Sequence, residues 1–414
     1  MLLSPILRHF VRRGTLRVID ADDQLHTFAG KEPGRTVTMR FHDRKVARDL
    51  FLNAPLKLGE AFMDGRLTVE DGSVYDLLEL IGANMSLAPP HLITRMSDTF
   101  GRLLRVFQQY NPLWKARRNV AHHYDLSDTL YNLFLDTDRQ YSCAYFHDPS
   151  DPLEEAQANK KRHLASKLRL EPGQQVLDIG SGWGGLALYL AQQADVRVTG
   201  ITLSVEQLRV AERRAAALGL ADRVKFELTD YREVTDRRFD RIVSVGMFEH
   251  VGVVHYPAFF QKVKELLTDN GIALLHSIGR ADGPGHTNAW IRKYIFPGGY
   301  SPAISEVVPV VEKTGLWITD IEVLRLHYAE TLRNWRARFL ANRERVKAIY
   351  DERFCRMWEF YLAGSEVAFR WEGHVNFQMQ IAKRVDSVPL TRDYMFDWER
   401  SHAPAQPQQK GRAA

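Results

Sequence analysis

The order of apolar and polar positions divides the chain into an N-terminal part with short elements and a longer part in which strands and helices alternate. In the N-terminal part, period-two alternation between Gly, Asp and Pro turns predicts short strands at Thr15–Ile19, Leu25–Phe28 and Thr36–Phe41. Helical spacing follows, with apolar residues at Val46, Leu50 and Leu58 and again at Leu77, Leu78 and Ile81. We expect residues 1–110 to form a small α+β domain.

Residues 91–110 at the end of this part are amphipathic. One side carries Leu92, Met96, Phe100, Leu103, Leu104 and Phe107, and arginines lie elsewhere. We expect a helix packed on a core, and a helix lying on a membrane surface is the alternative.

From Glu171 onward the pattern is that of a parallel α/β sheet. The predicted strands are Gln175–Ile179, Val196–Ile201, Val224–Leu228, Arg241–Val245 and Ile272–His276. The predicted helices are Gly185–Gln193, Ser204–Leu218, Pro257–Leu267 and an added helical region over residues 331–371. The Lys/Arg-rich face of that region is expected to be solvated. We assign residues 111–400 to one catalytic domain and residues 401–414, rich in Pro and Gln, to a disordered tail.

Composition and charge exclude few classes of protein or partner. The 414 residues suffice for two folded units, and the net charge of +5 permits contact with an anionic surface without choosing between lipid and nucleic acid. Two cysteines make no disulfide framework, which indicates a reducing compartment. No apolar segment approaches the ~20 residues that cross a bilayer. We therefore expect a cytoplasmic protein, which would reach a lipid substrate from the inner face of the membrane.

The most specific motif is the run Val176–Gly185, in which a strand leads through a glycine turn into a helix. Such a turn lets a ligand approach the backbone and a helix N-terminus. The spacing also satisfies the dinucleotide pattern G-x-G-x-x-G, which is weak by itself. However, Asp178 precedes the glycines, and the second strand ends at Thr199–Leu203 without a carboxylate for a ribose. The motif resembles that of class I S-adenosylmethionine (SAM) methyltransferases, which implies a Rossmann-like α/β domain.

Asp230 and Tyr231 follow the third predicted strand. Enzymes of this class commonly hold adenine there with an acid and a neighbouring ring, although an isolated loop acid could equally be solvated. We therefore include Asp178, Asp230 and Tyr231 among the candidate SAM-binding residues.

Several segments together resemble the cyclopropane-fatty-acyl-phospholipid synthase family, which is related to the mycolic acid cyclopropane synthases. They are His122–Leu126, Gln140–Phe146, the glycine motif, Val243–Gly252, Leu275–Gly279, Trp290–Pro297 and His327–Tyr328. The resemblance runs from about residue 115 to residue 385 in matching order, and the N-terminal unit also looks like that of phospholipid-acting members. It implies unsaturated phospholipids at a membrane surface as substrates and a homodimer.

The resemblance also implies roles for individual residues. Positions that match SAM-binding residues are Tyr141, Ser142, Gly180, Gly182, Thr202, Gln207 and Tyr231. Positions that match residues holding a bicarbonate ion, the expected general base, are Cys143, Glu249, His276, Ile278 and Tyr328. We expect Glu249 to share a proton with this ion and consider His276 a candidate cation.

The chemistry suits these residue types. An alkene is a poor nucleophile, so it must be aligned with the sulfonium methyl group in a dry site. Methyl transfer leaves a carbocation, which aromatic faces stabilise by roughly 0.5–2 kcal/mol each. Candidate neighbours of the cation are Tyr145, Phe248, Phe296 and Tyr328. A positioned anion then removes a proton from the added methyl group, and the ring closes.

Plainer interpretations remain for single residues. Glu249 could be a helix-terminus acid and His276 a satisfied core histidine. Cys143 is expected to make a contact and not to be a nucleophile. The group His122, His123, Glu249 and His250 lacks a closed ligand spacing, so no metal is expected.

Two rival functions also remain open. A fatty acid C-methyltransferase would give a methyl or methylene product from the same cation, and a non-catalytic lipid-binding relative would keep only the fold. A nucleic-acid methyltransferase is a weaker third, because the charge is mild and the catalytic tetrapeptide of base methylases is absent from the sequence. We expect no nucleic-acid partner.

Overall fold

A computed structural model describes residues 1–87 and 128–403 of the chain. Elements are numbered within these ranges. The N-terminal range contains α1 Ser4–Phe10, β1 Arg13–Ile19, β2 Leu25–Ala29, β3 Glu32–Phe41, α2 Lys45–Met63, β4 Leu67–Asp71 and α3 Val74–Leu87. The second range begins with α4 Asp128–Phe134, α5 Leu153–Leu168, β5 Gln175–Ile179, α6 Gly185–Gln193, β6 Arg197–Thr202, α7 Val205–Ala217, β7 Val224–Leu228 and β8 Phe239–Val245. It continues with α8 Tyr256–Leu266, β9 Leu267–Arg280, α9 Ala289–Tyr294, α10 Ile304–Thr314, β10 Trp317–Leu324, α11 His327–Ala341, α12 Arg343–Ile349, α13 Glu352–Trp371, β11 His374–Ala382 and α14 Asp393–Ser401.

In the described part of the chain, strands β5 to β11 form one seven-stranded sheet in the order β10-β11-β9-β8-β5-β6-β7. The pairs among β9, β8, β5, β6 and β7 are parallel, whereas β11 is antiparallel to both β9 and β10. The chain order reverses between β5 and β8, and ligands of such sheets bind at the carboxyl ends of the strands at this point.

Helices cover both faces of this sheet, so its central strands are apolar on both sides. Leu177 and Ile179 of β5 face one core and Val176 faces the other. The packing is close at the start of α6. There Gly184 has φ +83°, and a Cβ atom would lie 2.7 Å from the ring of Phe226. Only glycine suits both conditions.

The N-terminal strands form a second sheet, in the order β2-β1-β3-β4. Its core also contains Ala363 and Val367 of α13, so this sheet packs on the added helices. Met63 accepts a hydrogen bond from the Trp290 indole at 3.1 Å, which joins α2 to α9. The boundary expected at residue 110 and the amphipathic segment 91–110 lie outside the described residues.

The predicted strands and helices of the α/β region are confirmed, most of them within two residues of their bounds. The added helical region is also confirmed and consists of α11, α12 and α13. The expectation of a solvated Lys/Arg face holds in part. The side chains of Arg333, Lys347 and Arg353 are 48%, 47% and 51% exposed. Four less exposed arginines bind carboxylates: Arg336 with Glu366, Arg338 with Glu154, Arg343 with Glu352 and Arg370 with Glu330. The last helix ends at Ser401, and residues 404–414 of the predicted tail lie outside the described residues.

Candidate active site

The glycine turn between β5 and α6 forms the floor of the candidate cofactor site. Gly180 and Gly182 have φ of +85° and +54°, a backbone conformation that residues with a side chain rarely adopt. The amides of Gly180 and Ser181 each donate to the Ile201 carbonyl over 2.9 Å, which fixes the turn against β6. A Cβ atom on Gly182 would meet nothing within 4 Å among the described residues, so the turn leaves open space above it.

A cavity lies above this turn, and all nine residues expected to bind SAM line it. They are Tyr141, Ser142, Asp178, Gly180, Gly182, Thr202, Gln207, Asp230 and Tyr231. The sequence interpretation missed other lining residues, among them Arg139, Gln140, Lys160, Trp183, Met247 and His250. Four of these residues lie inside segments that carry the family resemblance: Gln140, Trp183, Met247 and His250. Lys160 lies in helix α5, whose apolar positions give no sign that this lysine is buried at a cavity.

Asp178 is a buried acid of this cavity. Burial raises the pKa of its carboxyl to about 7, and its Oδ2 atom has no hydrogen-bond partner within residues 1–87 and 128–403. An unpartnered buried carboxyl oxygen favours a cationic or hydrogen-bond-donating ligand. SAM offers both groups, so Asp178 and the space above Gly182 fit this cofactor.

The other end of the cavity is built from the loops after β6 and β7. The Thr202 hydroxyl donates to Gln207 Oε1 at 2.8 Å. Asp230 accepts from the Arg232 amide at 3.0 Å and from the Arg232 guanidinium at 2.8 Å. Asp230 is therefore a buried, paired acid, and the alternative of a solvated loop acid is wrong.

Tyr141 and Ser142 belong to the segment that follows α4. The Tyr141 and Tyr361 hydroxyls are 2.8 Å apart, and the Tyr141 ring stacks on Trp335 with centroids 5.1 Å apart. Ser142 Oγ accepts a hydrogen bond from Lys160 Nζ at 2.9 Å. The added helices α11 and α13 thus support one wall of the cofactor cavity.

Glu249 lies in the turn after β8, and His276 and Ile278 lie in the last part of β9. Glu249 is in a 3-10 turn, Phe248–His250, and its Oε1 atom accepts from the Ile278 amide at 2.6 Å. Burial raises the pKa of Glu249 to about 7. Glu249 Oε2 and His276 Nε2 are both buried, and neither has a partner among the described residues.

Burial lowers the pKa of His276 well below its ordinary value, which favours the neutral ring. This direction argues against a cationic His276, which was a prediction for the complex with bicarbonate. Its Nδ1 atom lies 3.1 Å from Nε2 of Gln378 on the neighbouring strand. His276 is therefore not a fully satisfied core histidine, because only one of its two ring nitrogens has a partner in the described ranges.

Cys143 and Tyr328 lie where the segment after α4 meets the start of α11. Cys143 is buried, burial raises its pKa, and its thiol donates to the Ala144 carbonyl at 3.3 Å. A neutral thiol agrees with a contact role and not with a nucleophile. The Ala144 amide donates to Thr331 Oγ1 on α11 at 3.0 Å, one turn after Tyr328. None of the five residues expected to hold bicarbonate lines the cofactor cavity itself. They are Cys143, Glu249, His276, Ile278 and Tyr328.

The expected aromatic neighbours of a cation fall into different places. Tyr328 and Phe296 belong to the same aromatic cluster as Tyr141. Tyr145 is stacked between His163 and His327, with centroids 4.2 and 4.7 Å away. Phe248 was assigned wrongly, because it is fully buried against Tyr256, Phe259 and Phe260 in another core.

Within residues 1–87 and 128–403, no group of three or more His, Cys, Asp or Glu side chains could hold a metal ion. His122 and His123, named in the metal alternative, lie outside them. No helix there is long and apolar enough to span a bilayer.

The parallel sheet, the antiparallel strand β11 and the cavity above the glycine turn define a class I SAM-dependent methyltransferase. A family model described as mycolic acid cyclopropane synthetase matches residues 112–379, and the chain belongs to this family. At family level the reaction is SAM-dependent transfer of a methylene unit to lipid acyl chains.

Three similar proteins illustrate the range of the family. The chain is 38% identical to a cyclopropane-fatty-acyl-phospholipid synthase of Escherichia coli K12 over 332 residues, which cover 80% of this chain and 84% of the relative. It is 35% identical to a probable fatty acid methyltransferase of Pseudomonas putida over 383 residues, covering 88% and 92%. The solved structure of mycolic acid cyclopropane synthase CmaA1 complexed with SAH and CTAB has a TM-score of 0.61 at 34% identity and covers 66% of this chain and all (100%) of that chain.

Proposed function

We propose that this enzyme converts the cis double bond of an unsaturated phospholipid acyl chain into a cyclopropane ring. The observation that carries the proposal is that two buried atoms have no partner in the described ranges: Glu249 Oε2, in the turn after β8, and His276 Nε2, on the neighbouring strand β9. Buried polar atoms normally have partners, so a pair without any in the described ranges favours a small polar ligand. Ring closure needs such a ligand as a base.

The residues of the cofactor cavity act in the first half of the reaction, the transfer of the methyl group to the double bond. Bound SAM supplies an electrophilic methyl group. In our proposal Asp178, Gly180 and Gly182 hold the cofactor, and the loops of Thr202, Gln207, Asp230 and Tyr231 hold its nucleoside end. The aromatic wall of Tyr141, Phe296 and Tyr328 excludes water and stabilises the cation on the acyl chain, by roughly 0.5–2 kcal/mol for each ring face.

Bicarbonate is the proposed ligand of the second half. Glu249 would hold it with Oε2, whose carboxyl can carry a proton because its pKa is near 7. Neutral His276 would donate from Nε2, and Cys143, Ile278 and Tyr328 would complete the pocket, as the family resemblance implies. The ion would supply a proton acceptor that is not itself part of the protein. A carboxylate of the chain placed directly against the cation would risk alkylation.

We further propose that the enzyme acts as a homodimer at the inner face of the membrane and that the N-terminal unit contacts the lipid. Helix α2 exposes Phe51 and Leu52 to 51% and 71%, next to Arg48, whose side chain is 63% exposed and lies 3.4 Å from Asp49. Apolar side chains beside a cation suit an anionic bilayer surface. Co-sedimentation with anionic liposomes should fall in the variant Phe51→Glu/Leu52→Glu. The control is Leu218→Glu, directly after α7 and 49% exposed, which should have no effect.

A fatty acid C-methyltransferase is the second candidate, and the 35% identity to the Pseudomonas putida relative over 88% of the chain favours it. Both reactions share the cation and differ only in where the proton is lost or whether the cation is reduced. A methyl or methylene product would contain no cyclopropane ring. A non-catalytic lipid-binding relative would give no product at all.

The decisive test is incubation with labelled SAM and a phospholipid with one cis double bond, with the fully saturated phospholipid as control. We expect label in the acyl chain, a mass gain of one CH₂ and loss of double-bond reactivity. A labelled product that keeps double-bond reactivity would establish the methylene alternative. In a parallel incubation with an added hydride donor, a mass gain of CH₂ plus two hydrogens would establish the methyl alternative. A labelled product from the free unsaturated fatty acid but not from the phospholipid would contradict the phospholipid substrate.

A further inference from the structure

Lys160 is a buried cation in the wall of the cofactor cavity. It lies on α5 and is only 1% exposed. Its ammonium donates to Gln140 Oε1 at 2.5 Å and to Ser142 Oγ at 2.9 Å. Both acceptors are neutral, and both residues line the same cavity.

No carboxylate of the described chain is within hydrogen-bonding distance of this ammonium. Three acids are near. Asp138 is engaged by Lys161 and Arg214, and Asp136 accepts from the Gln140 and Asp138 amides. Asp178 interacts electrostatically with Lys160 and makes no ion pair with it in the described ranges. A buried ammonium is normally paired, because its desolvation is costly. Burial lowers the pKa of Lys160 only to about 8, so it is still mostly charged at neutral pH.

The place of Lys160 in the cavity indicates which part of a ligand it meets. Thr202 and Asp230 lie at the β6–β7 end, whereas Ser142 lies next to Gly246 after β8, 3.9 Å from a Cβ atom built there. The charge of Lys160 also acts on Cys143, Asp178 and His276. Lys160 is thus on the side of the proposed reaction centre, where the sulfonium and the amino-acid end of SAM belong.

We propose that Lys160 binds the carboxylate of the methionyl group of SAM and makes the enzyme specific for a cofactor that carries it. Lys160 then has a full anionic partner in the complex, while Asp178 faces the cationic part of the same group. Ser142 and Gln140 hold the ammonium in place before the ligand arrives. The inference rests on the cofactor placement proposed above.

The test compares two ligands by isothermal titration calorimetry at pH 7. The first is S-adenosylhomocysteine, and the second is its decarboxylated analogue, which keeps the amine. Lys160→Met should weaken binding of the first about 10- to 100-fold and leave binding of the second within about threefold, as for the loss of a hydrogen bond between charged groups. Lys167→Met is the matched control, because Lys167 is the other buried lysine of α5 and is paired with Glu322. It should retain the wild-type preference.

The outcomes separate the inference from the proposed function. Equal losses for both ligands in Lys160→Met would show that Lys160 only supports Ser142, and would overturn the inference. Wild-type protein that binds both ligands equally would overturn it without any variant, even if Lys160→Met failed to fold. Wild-type protein that binds neither ligand would instead contradict the proposed cofactor site. Lys160→Arg keeps the charge and should keep most of the preference.

Discussion

The side-chain amide of Gln378 donates a hydrogen bond to Nδ1 of His276 over 3.1 Å, and both side chains are buried. The two residues are direct partners in the antiparallel pair of β11 and β9. Because Nδ1 accepts, the neutral ring carries its proton on Nε2. Strand pairing therefore makes Nε2, which faces no partner in the described chain, a hydrogen-bond donor.

Gln378→Glu should reverse this arrangement. A carboxylate beside Nδ1 accepts a hydrogen bond from an Nδ1–H group. The ring then either is neutral with Nε2 as an acceptor or carries a second proton on Nε2 and is a cation. We expect kcat to fall about 10- to 100-fold with little change in KM for SAM, as for the loss of a strong hydrogen bond. Nitrogen NMR of His276 should show the changed protonation. Gln380→Glu is the control on the same strand, since Gln380 is equally buried and bonds to Tyr394 instead. Unchanged His276 resonances in Gln378→Glu would contradict the assignment.

Replacing the proposed ligands of the anion should separate catalysis from cofactor binding. Glu249→Gln and His276→Ala are each expected to lower product formation more than about 100-fold, because each removes a positioned polar group at the step of proton loss. Their affinity for S-adenosylhomocysteine should stay within about threefold of wild type. Asp269→Asn, at an exposed position (side chain 89% accessible), is a control for charge removal. Wild-type yield from both active-site variants would contradict the proposed roles of Glu249 and His276 in the reaction.

Glu249 should also make stability depend on pH. Its pKa is raised from 4.5 to about 7 by burial, so its contribution to stability is fully present below pH 4.5 and is lost as pH rises through 7. Between pH 5 and pH 8 the ligand-free protein should lose about 2–3 kcal/mol through this group. Urea titrations should show that Glu249→Gln removes this part of the dependence. A variant with the wild-type slope would mean that Glu249 titrates normally.

The α/β region could be predicted because its strands are apolar and its glycine turn has a fixed spacing. Helix α5 could not, because its buried face carries Lys160, Arg162, His163 and Lys167. Two of these side chains are paired with acids distant in sequence: His163 with Glu322 and Glu399, and Lys167 with Glu322. Apolar periodicity cannot reveal such a face. The same holds for β11, where Asn376, Gln378 and Gln380 alternate with apolar residues although both faces are buried.

The candidate site could also be predicted only in part from the sequence. Residues in motifs, such as Asp178 and Glu249, could be named from the sequence. The neutral state of His276 could not, because it depends on burial and on Gln378 about a hundred residues away. Phe248 was misassigned because sequence proximity to Glu249 does not show that its ring points into the core behind the sheet.

Glu366 should be essential for the stability of the added helices. Its carboxylate is buried and binds Arg336 at 2.9 Å and Arg370 at 3.1 Å. Removing it leaves two partly buried guanidinium groups without this partner, so Glu366→Ala should lower the free energy of unfolding by about 3–5 kcal/mol. Glu344→Ala, where the acid is exposed and 3.9 Å from Arg343, should change it by less than about 0.5 kcal/mol. Urea unfolding measures both, and equal effects would contradict the special role of Glu366.

Gly182→Val should abolish cofactor binding, and a second glycine allows backbone strain to be separated from blockage of the cavity. Gly182 has φ +54° and Gly173, in the turn before β5, has φ +83°; a Cβ atom on either would meet nothing within 4 Å in the described chain. Both valine variants therefore carry a strain of about 1–3 kcal/mol from the left-handed backbone. Only Gly182 lines the cavity, so only its valine fills space that a ligand needs. Calorimetry should detect no binding of S-adenosylhomocysteine to Gly182→Val and nearly wild-type affinity for Gly173→Val, at similar losses of stability. Equal loss of binding in both would mean that strain, and not the open space above Gly182, governs the site.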